Sequence, residues 1–198
     1  MASTAPSQLT ILLIQGSFQL PEVYRKLTKA LEARGYPVIH PLLPSLAVLR
    51  RLVEEKSRTV LVLMHSYGGL VGSEAVLDEF GWNKRKDRGL TGGVIYLFFF
   101  AAFVLAEEAE YWTSKIIDQS YAVQTTKLTR AAYRYIPSTY VVCGNDQGPP
   151  PQYQEMWGKN AGSIMLRINS GHSPMLNKTD ELVNMIVEAA HGAIKNAY

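Results

Sequence analysis

Three polar side chains in this sequence are of the types that nucleophilic catalysis requires. Ser66 could supply an attacking hydroxyl, His172 a base to remove its proton, and Asp146 a carboxylate to orient the imidazole and stabilise its charged form. A serine hydroxyl is a weak nucleophile alone, so chemistry at Ser66 requires the other two side chains beside it. The sequence therefore predicts that three residues far apart in the chain converge at one site.

The residues around Ser66 predict a sharp turn between a strand and a helix. The apolar run 59–64 is typical of a buried parallel strand, and Gly68 and Gly69 follow soon after the serine. A serine on such a turn exposes its hydroxyl, and glycines allow helix and strand to approach closely. The alternative is an ordinary tight turn in which Ser66 caps the helix.

Asp146 and His172 occupy loops that each follow a predicted strand. Asp146 comes after the strand at 139–143, and His172 comes after the last predicted strand, where neighbouring glycine and proline residues favour a turn. Because open parallel sheets place their sites at the carboxyl ends of strands, we expect both loops to lie beside Ser66. The chain order serine, aspartate, histidine is a further indication of a triad.

The turn Gln15-Gly16-Ser17-Phe18 after the first predicted strand is a candidate oxyanion hole. Gly16 permits the turn, and we predict that the backbone N–H groups of Ser17 and Tyr67 donate to the oxygen that becomes negative during acyl transfer. The alternative for Gly16 is a dinucleotide-binding turn, but the chain contains no G-x-G-x-x-G.

Phe18, His65 and Trp112 are candidates for the substrate pocket. The side chain of His65 is expected to project away from the Ser66 hydroxyl, so packing is its alternative role. Trp112 lies in residues 104–137, which interrupt the strand–helix alternation and predict a short cap-like insertion whose aromatic residues could line a pocket or pack. No metal-ligand spacing of histidine, cysteine or acidic residues is present, so we expect no metal.

Alternating strands and helices must position these side chains. The repeated order predicts one α/β domain over residues 1–198, with a mostly parallel central sheet and helices on both faces. The predicted strands are 9–14, 37–40, 59–64, 93–100, 139–143 and 163–168, and the predicted helices are 21–34, 46–56, 70–80, 151–157 and 180–190.

Composition limits the partners and the compartment. Twenty basic and seventeen acidic residues give a net charge of +3, which provides no reason to expect nucleic acid or an anionic membrane as a partner. The basic run 84–88 lies between glycines and predicts a solvated loop. The single cysteine, Cys143, lies in an apolar strand and favours a reducing compartment, and the most apolar stretch, 94–106, is too short to span a bilayer. We therefore predict a cytoplasmic protein.

Several segments resemble the α/β-hydrolase superfamily, with His65-Ser66-Tyr67-Gly68-Gly69 as its nucleophile elbow. They are similar to a fungal branch of small-molecule hydrolases whose broader relatives include plant methylesterases and hydroxynitrile lyases. The resemblance implies a cofactor-free enzyme with Ser66 as nucleophile, His172 as base and Asp146 as the residue that orients the base. The other segments that carry it are residues 15–18, 34–38, 101–105, 136–140 and 170–174.

The chain departs from the family pattern at four places. Met64 stands where the G-x-S-x-G elbow has its first glycine, and Gln15 stands where the superfamily commonly has histidine. The segment around 44–46 and the cap after Leu105 are both brief, which predicts a reduced cap and a more open site.

Three functions are compatible with these residues. The leading hypothesis is hydrolysis of an ester of a small, fairly apolar molecule through an acyl-enzyme on Ser66. A lyase or cyclase could use the same site with His172 as a proton shuttle. A non-catalytic binding domain that retains the fold is the third possibility.

Overall fold

A computed structural model describes residues 9–17, 19–42, 46–102 and 129–197. Within these ranges, six strands form one sheet in the order β2-β1-β3-β4-β5-β6, and every neighbouring pair is parallel. This confirms the predicted α/β class. The strands are β1 (Thr10–Ile14), β2 (Val38–Ile39), β3 (Thr59–His65), β4 (Gly93–Phe100), β5 (Ser138–Cys143) and β6 (Ile164–Ile168).

Helices follow most of the strands. They are α1 (Arg25–Ala33), α2 (Leu46–Arg50), α3 (Gly68–Ala75), α4 (Trp82–Asp87), α5 (Pro151–Asn160), α6 (Pro174–Asn177) and α7 (Thr179–Ala197). A π-helical turn, Arg51–Glu55, continues α2, and short 3₁₀ turns occupy Pro21–Tyr24, Asp78–Phe80 and Ala132–Arg134. In the described ranges, no helix combines the length and apolar character needed to cross a membrane.

The two faces of the sheet bury separate apolar clusters. Side chains of a strand alternate between faces, so Leu61 and Leu63 of β3 pack in one cluster and Val62 in the other. The first cluster contains buried residues of α1 and α7, and the second contains residues of α2, α3 and α5. Burial on both faces explains why β1, β3 and β4 have no polar alternation in the sequence.

The basic run 84–88 was wrongly predicted as a solvated loop, because most of it lies in helix α4. Arg85 is buried there, and its guanidinium donates to the backbone carbonyls of Val53, Thr91 and Gly92. A buried arginine requires this kind of hydrogen bonding. Charge density in the sequence did not distinguish this buried cation from its exposed neighbours.

Two helix boundaries also differ from the predictions. The helix expected over 70–80 ends at Ala75, and a 3₁₀ turn follows, where the Tyr135 hydroxyl donates to the Val76 carbonyl. The last helix continues to Ala197 rather than ending near residue 190, because its terminal alanines pack against the first cluster.

The parallel arrangement brings four chain segments to one edge of the sheet. Ile14 pairs with Met64, His65 with Phe100, and Cys143 with Ile168 in adjacent strands. The turns after β1, β3, β5 and β6 therefore emerge together at the carboxyl ends of the strands, where sheets of this kind build their sites.

Candidate active site

Ser66 lies on a strained turn between β3 and α3. Its φ angle is 51°, in the left-handed region that residues with a Cβ rarely adopt. The turn is stabilised because the Ser66 carbonyl accepts a hydrogen bond from Gly69 N at 3.0 Å. Gly68 allows the helix to start this close to β1, because a Cβ added at Gly68 would lie 2.4 Å from the Ile14 carbonyl oxygen.

Ser66, His172 and Asp146 form a hydrogen-bonded chain. The Ser66 Oγ lies 2.9 Å from His172 Nε2, and His172 Nδ1 lies 2.8 Å from Asp146 Oδ2. A carboxylate oxygen only accepts, so Nδ1 carries the imidazole proton and Nε2 accepts from the serine hydroxyl. The Asp146 side chain is fully buried, whereas that of His172 is 32% exposed, so the base faces the solvent side of the site.

Gln154 of α5 holds the carboxylate, and the sequence reasoning missed it. Its Nε2 donates to Asp146 Oδ2 at 3.0 Å and to the Pro149 carbonyl, while its Oε1 accepts from Cys143 N at 2.9 Å. Gly148 N donates to the other carboxylate oxygen at 2.8 Å. In the sequence, only the short spacing from Asp146 could have indicated Gln154, and an exposed glutamine would show the same spacing.

The turn after β1 lies directly against the elbow. A Cβ added at Gly16 would lie 2.9 Å from Ser66 Cβ and 3.4 Å from Ser66 Oγ, so only glycine fits at this position without displacement. Ser17 follows it, and Tyr67 precedes the first residue of α3. The structure thus places the two chain segments of the predicted oxyanion hole beside the same hydroxyl. The Ser17 hydroxyl is buried and has no hydrogen-bond partner in the described part of the chain.

A family model described as the alpha/beta hydrolase family matches residues 11–185 of this chain. The chain belongs to the α/β hydrolase family. Its relatives include the alpha/beta hydrolase nvfD of Aspergillus novofumigatus, which is 24% identical over 247 residues, with 93% of this chain and 98% of that protein covered. Because that alignment is longer than the 198 residues of this chain, the relative contains segments with no counterpart here.

Solved structures show the same α/β hydrolase fold. A pyrethroid hydrolase from Sphingobium faniae has a TM-score of 0.67 at 16% identity, with 92% of this chain and 98% of that chain covered. Polyneuridine aldehyde esterase has a TM-score of 0.66 at 15% identity, with 92% and 99% covered. An extracellular α/β-hydrolase from a Paenibacillus species has a TM-score of 0.61 at 14% identity, with 91% and 98% covered.

Met64, the residue that departs from the hydrolase elbow pattern, is accommodated by a glycine on the facing helix. Its side chain is fully buried against α3, where a Cβ added at Gly72 would lie 2.3 Å from Met64 Sδ. The family pattern has a small residue on the strand at this point. In this chain, the small residue lies on the helix instead, so the close contact between β3 and α3 is retained.

Gln15, the second departure, supports the turn through its side chain. Its Nε2 donates to the Gln19 carbonyl at 2.6 Å, and its Oε1 lies 2.9 Å from His40 Nε2. The amide therefore closes the turn on one side and joins it to the end of β2 on the other. Histidine is not needed at this position for the turn to form.

His65 lies in the protein interior, which is a correction to its prediction as a pocket residue. Its side chain is fully buried and stacks on Phe100 with a centroid separation of 4.7 Å. Nδ1 lies 2.7 Å from the Tyr24 hydroxyl, and Nε2 lies 2.8 Å from the His172 carbonyl oxygen. Because side chains alternate along a strand and Ser66 begins the turn, the His65 ring points into the core beneath the serine.

The other pocket candidates, Phe18 and Trp112, lie outside the described residues, as does most of the predicted insertion at 104–137. The described end of that insertion is tied to α3, because the Glu74 carboxylate accepts hydrogen bonds from the backbone N–H groups of Thr129 and Arg130. In the described ranges, histidine, cysteine and acidic residues form no cluster suited to a metal ion. Cys143 is a packing residue, since burial and the nearby Asp146 raise the pKa of its thiol to about 12.

Proposed function

We propose that this protein is a serine hydrolase that cleaves a carboxylic ester of a small, fairly apolar molecule through an acyl-enzyme on Ser66. The observation that carries the proposal is the hydrogen-bonded chain from the Ser66 hydroxyl through His172 to Asp146. The proposed enzyme needs neither a cofactor nor a metal, and its only required partner is the small-molecule substrate.

In the proposed first half-reaction, Ser66 Oγ attacks the ester carbonyl carbon while its proton passes to His172 Nε2. The carbonyl oxygen becomes negative and is stabilised by the backbone N–H groups of Ser17 and Tyr67, with the positive end of α3 adding to the effect. The tetrahedral intermediate then expels the alcohol, which takes the proton from His172, and the acyl group remains on Ser66.

In the second half-reaction, His172 removes a proton from water, and the resulting hydroxide attacks the acyl carbon. The carboxylic acid leaves, and the proton returns to Ser66 Oγ from His172 Nε2. Asp146 keeps the proton of His172 on Nδ1 throughout, so that Nε2 is free to accept at each step.

Exposed apolar side chains that are close in sequence to the site segments are compatible with a substrate that has apolar groups. Leu20 follows the Gly16 turn and Leu176 follows the His172 loop, and both are at least half exposed. In the proposed enzyme, exposed leucines in these segments contribute apolar contacts to the ligand. The names of two structural relatives, a pyrethroid hydrolase and polyneuridine aldehyde esterase, are compatible with ester cleavage at a site of this kind.

A fluorophosphonate probe, which reacts with an activated serine, tests the proposal directly. We expect stoichiometric labelling of the wild-type chain at Ser66, identified by peptide mass spectrometry, and complete loss of labelling in Ser66→Ala. The matched control is Ser73→Ala, which removes another buried hydroxyl from α3. This control should label like the wild type.

Absence of labelling in folded wild-type protein would overturn the nucleophilic role of Ser66, as would equal labelling of the Ser66→Ala variant. Release of acid from a series of p-nitrophenyl esters of increasing chain length then measures the preferred acyl group. A preference for the longer, more apolar esters is expected from the exposed leucines.

A further inference from the structure

A second chain of hydrogen bonds lies beneath the triad and joins three segments of the site. The Gly16 N–H donates to the Tyr24 hydroxyl oxygen at 2.9 Å, and that oxygen lies 2.7 Å from His65 Nδ1. His65 Nε2 in turn lies 2.8 Å from the His172 carbonyl oxygen. The chain therefore runs from the turn after β1, through the end of β3, to the loop after β6.

The chemistry of the groups determines the direction of each bond. A carbonyl oxygen only accepts, so His65 Nε2 must carry a proton. Burial, followed by the charge of His172, lowers the pKa of His65 to about 3, so the ring is neutral and Nδ1 is an acceptor. The Tyr24 hydroxyl therefore donates to Nδ1 while its oxygen accepts from Gly16 N–H.

The side-chain amide of Gln19 completes this network. Its Oε1 contacts the Tyr24 hydroxyl and lies 3.1 Å from His65 Nδ1. Tyr24 has one hydroxyl proton and neutral Nδ1 has none, so an amide oxygen would compete with His65 for that proton. Exchanging the amide oxygen and nitrogen, which have the same shape, removes this competition, because the nitrogen then donates to the Tyr24 oxygen and the Tyr24 proton goes to His65.

The surroundings prevent water from replacing either ring. Tyr24 and His65 are both 0% exposed, and Phe100 stacks on the imidazole. Removing either partner would therefore leave a buried polar group unpaired rather than hydrated. The network fixes both the backbone of Gly16, which precedes the proposed oxyanion donor Ser17, and the backbone of His172.

We propose that Tyr24 and His65 are positioning residues that hold the oxyanion turn and the His172 backbone in register with Ser66. The inference rests on the proposed function of Ser66 as nucleophile. Neither residue touches the reacting atoms. Their contribution is geometric, because small displacements of a base or an oxyanion donor slow the chemical step more than they weaken binding.

The first test is Tyr24→Phe, which keeps the ring and removes two of the three hydrogen bonds in the chain from Gly16 to His172, together with the contact to Gln19. The readout is the limiting rate of fluorophosphonate labelling, separated from the half-saturating probe concentration. We expect the limiting rate to fall about 10- to 100-fold, with the half-saturating concentration nearly unchanged. The rate is divided by the fraction of protein that is labelled at the end of the reaction, so that misfolded protein does not contribute.

Tyr96→Phe is the matched control. Tyr96 is also buried, and its hydroxyl lies 2.9 Å from Thr139 Oγ1 in β5. It precedes Phe100, the strand partner of His65, by four residues, so it is remote from the site edge. Tyr96→Phe should lower the thermal unfolding temperature and leave the limiting labelling rate unchanged.

A second pair of variants separates positioning from packing. His65→Gln retains an amide that can donate to the His172 carbonyl, whereas His65→Leu retains only apolar volume. We expect the limiting labelling rate of His65→Gln to exceed that of His65→Leu. Equal rates for these two variants, or an unchanged rate in Tyr24→Phe, would overturn the positioning role. Failure of the wild type to label would instead overturn the proposed function itself.

Discussion

At the scale of single residues, the Asp146 carboxylate is held in place by hydrogen bonds from its surroundings. The carboxylate lies close to donors from three segments, Gly148 N, Gln154 Nε2 and His172 Nδ1. A buried carboxylate held by these three donors is fixed in direction. In the proposed mechanism, that direction decides which nitrogen of His172 faces Ser66.

Gln154→Met tests this support while nearly conserving side-chain volume. The variant removes one donor from Asp146 and leaves the Cys143 N–H and the Pro149 carbonyl without their partner. We expect the free energy of unfolding to fall by about 1–3 kcal/mol, measured by urea denaturation. The limiting labelling rate should fall about 10-fold, because the imidazole is held less firmly.

Gln152→Met is the control for this prediction. It makes the same substitution in the same helix at an exposed position. Neither the stability nor the labelling rate should change. An equal loss of stability in both variants would show that methionine disturbs α5 itself rather than the contact with Asp146.

At the scale of elements, the site depends on how closely α3 packs on the sheet. Two of its glycines face backbone or side-chain atoms that leave no room for a methyl group, Ile14 O at Gly68 and Met64 Sδ at Gly72. This close approach places the start of the helix, which is the positive end of its dipole, behind Ser66. Met64 and Gly72 together take the place of the small strand residue in the family pattern.

Gly72→Ala should therefore be destabilising although alanine favours helices. The added Cβ collides with the buried Met64 side chain, and overpacking of this kind costs about 1–3 kcal/mol of unfolding free energy. The double variant with Met64→Ala removes the obstructing side chain. The decrease in the free energy of unfolding should be smaller in the double variant than the sum of the decreases in the two single variants. Urea denaturation in a double-mutant cycle measures this difference.

Gly192→Ala is the matched control for this prediction. It lies within α7, and a Cβ there would meet nothing within 4 Å. The gain in helix propensity should act alone and raise stability by about 0.4–1 kcal/mol. We expect alanine to lower the free energy of unfolding at Gly72 and to raise it at Gly192. A higher free energy of unfolding in Gly72→Ala would refute the packing account.

At the scale of the whole molecule, a neutral imidazole in the core links folding to pH. Burial, followed by the charge of His172, lowers the pKa of His65 from 6.5 to about 3. The unfolded chain binds a proton at this residue below about 6.5, and the native protein does so only near 3. Unfolding therefore takes up a proton in this window, and acid favours the unfolded state.

We expect the free energy of unfolding to fall as the pH is lowered from about 6.5 toward 3, with His65 contributing up to about 1.4 kcal/mol per pH unit. The burial that lowers the pKa of His40 acts in the same direction. Urea denaturation at several pH values should show a shallower dependence in His65→Gln than in the wild type. His191→Gln, at an exposed position of α7, should retain the wild-type slope.

The sequence alone was sufficient to predict the class of fold and the chain positions of the proposed triad. Continuous apolar strands, amphipathic helices and loop residues at strand ends are local signals, and parallel topology then requires the loops after the strands to share one edge. The resemblance identified the family from the same segments. The roles of residues near Ser66, such as Gly68, could be predicted because few residue types fit a sharp turn.

Tertiary structure decided which polar residues are buried and what they contact. Gln154 and Arg85 carry no local sign of burial, because each could equally lie on an exposed helix face. His65 was assigned to the pocket from its neighbourhood in the chain, yet its ring packs under the site. Hydrogen bonds between residues 41 or 107 positions apart, as in the contacts of His65, depend on the packing of the whole sheet, which no local pattern encodes.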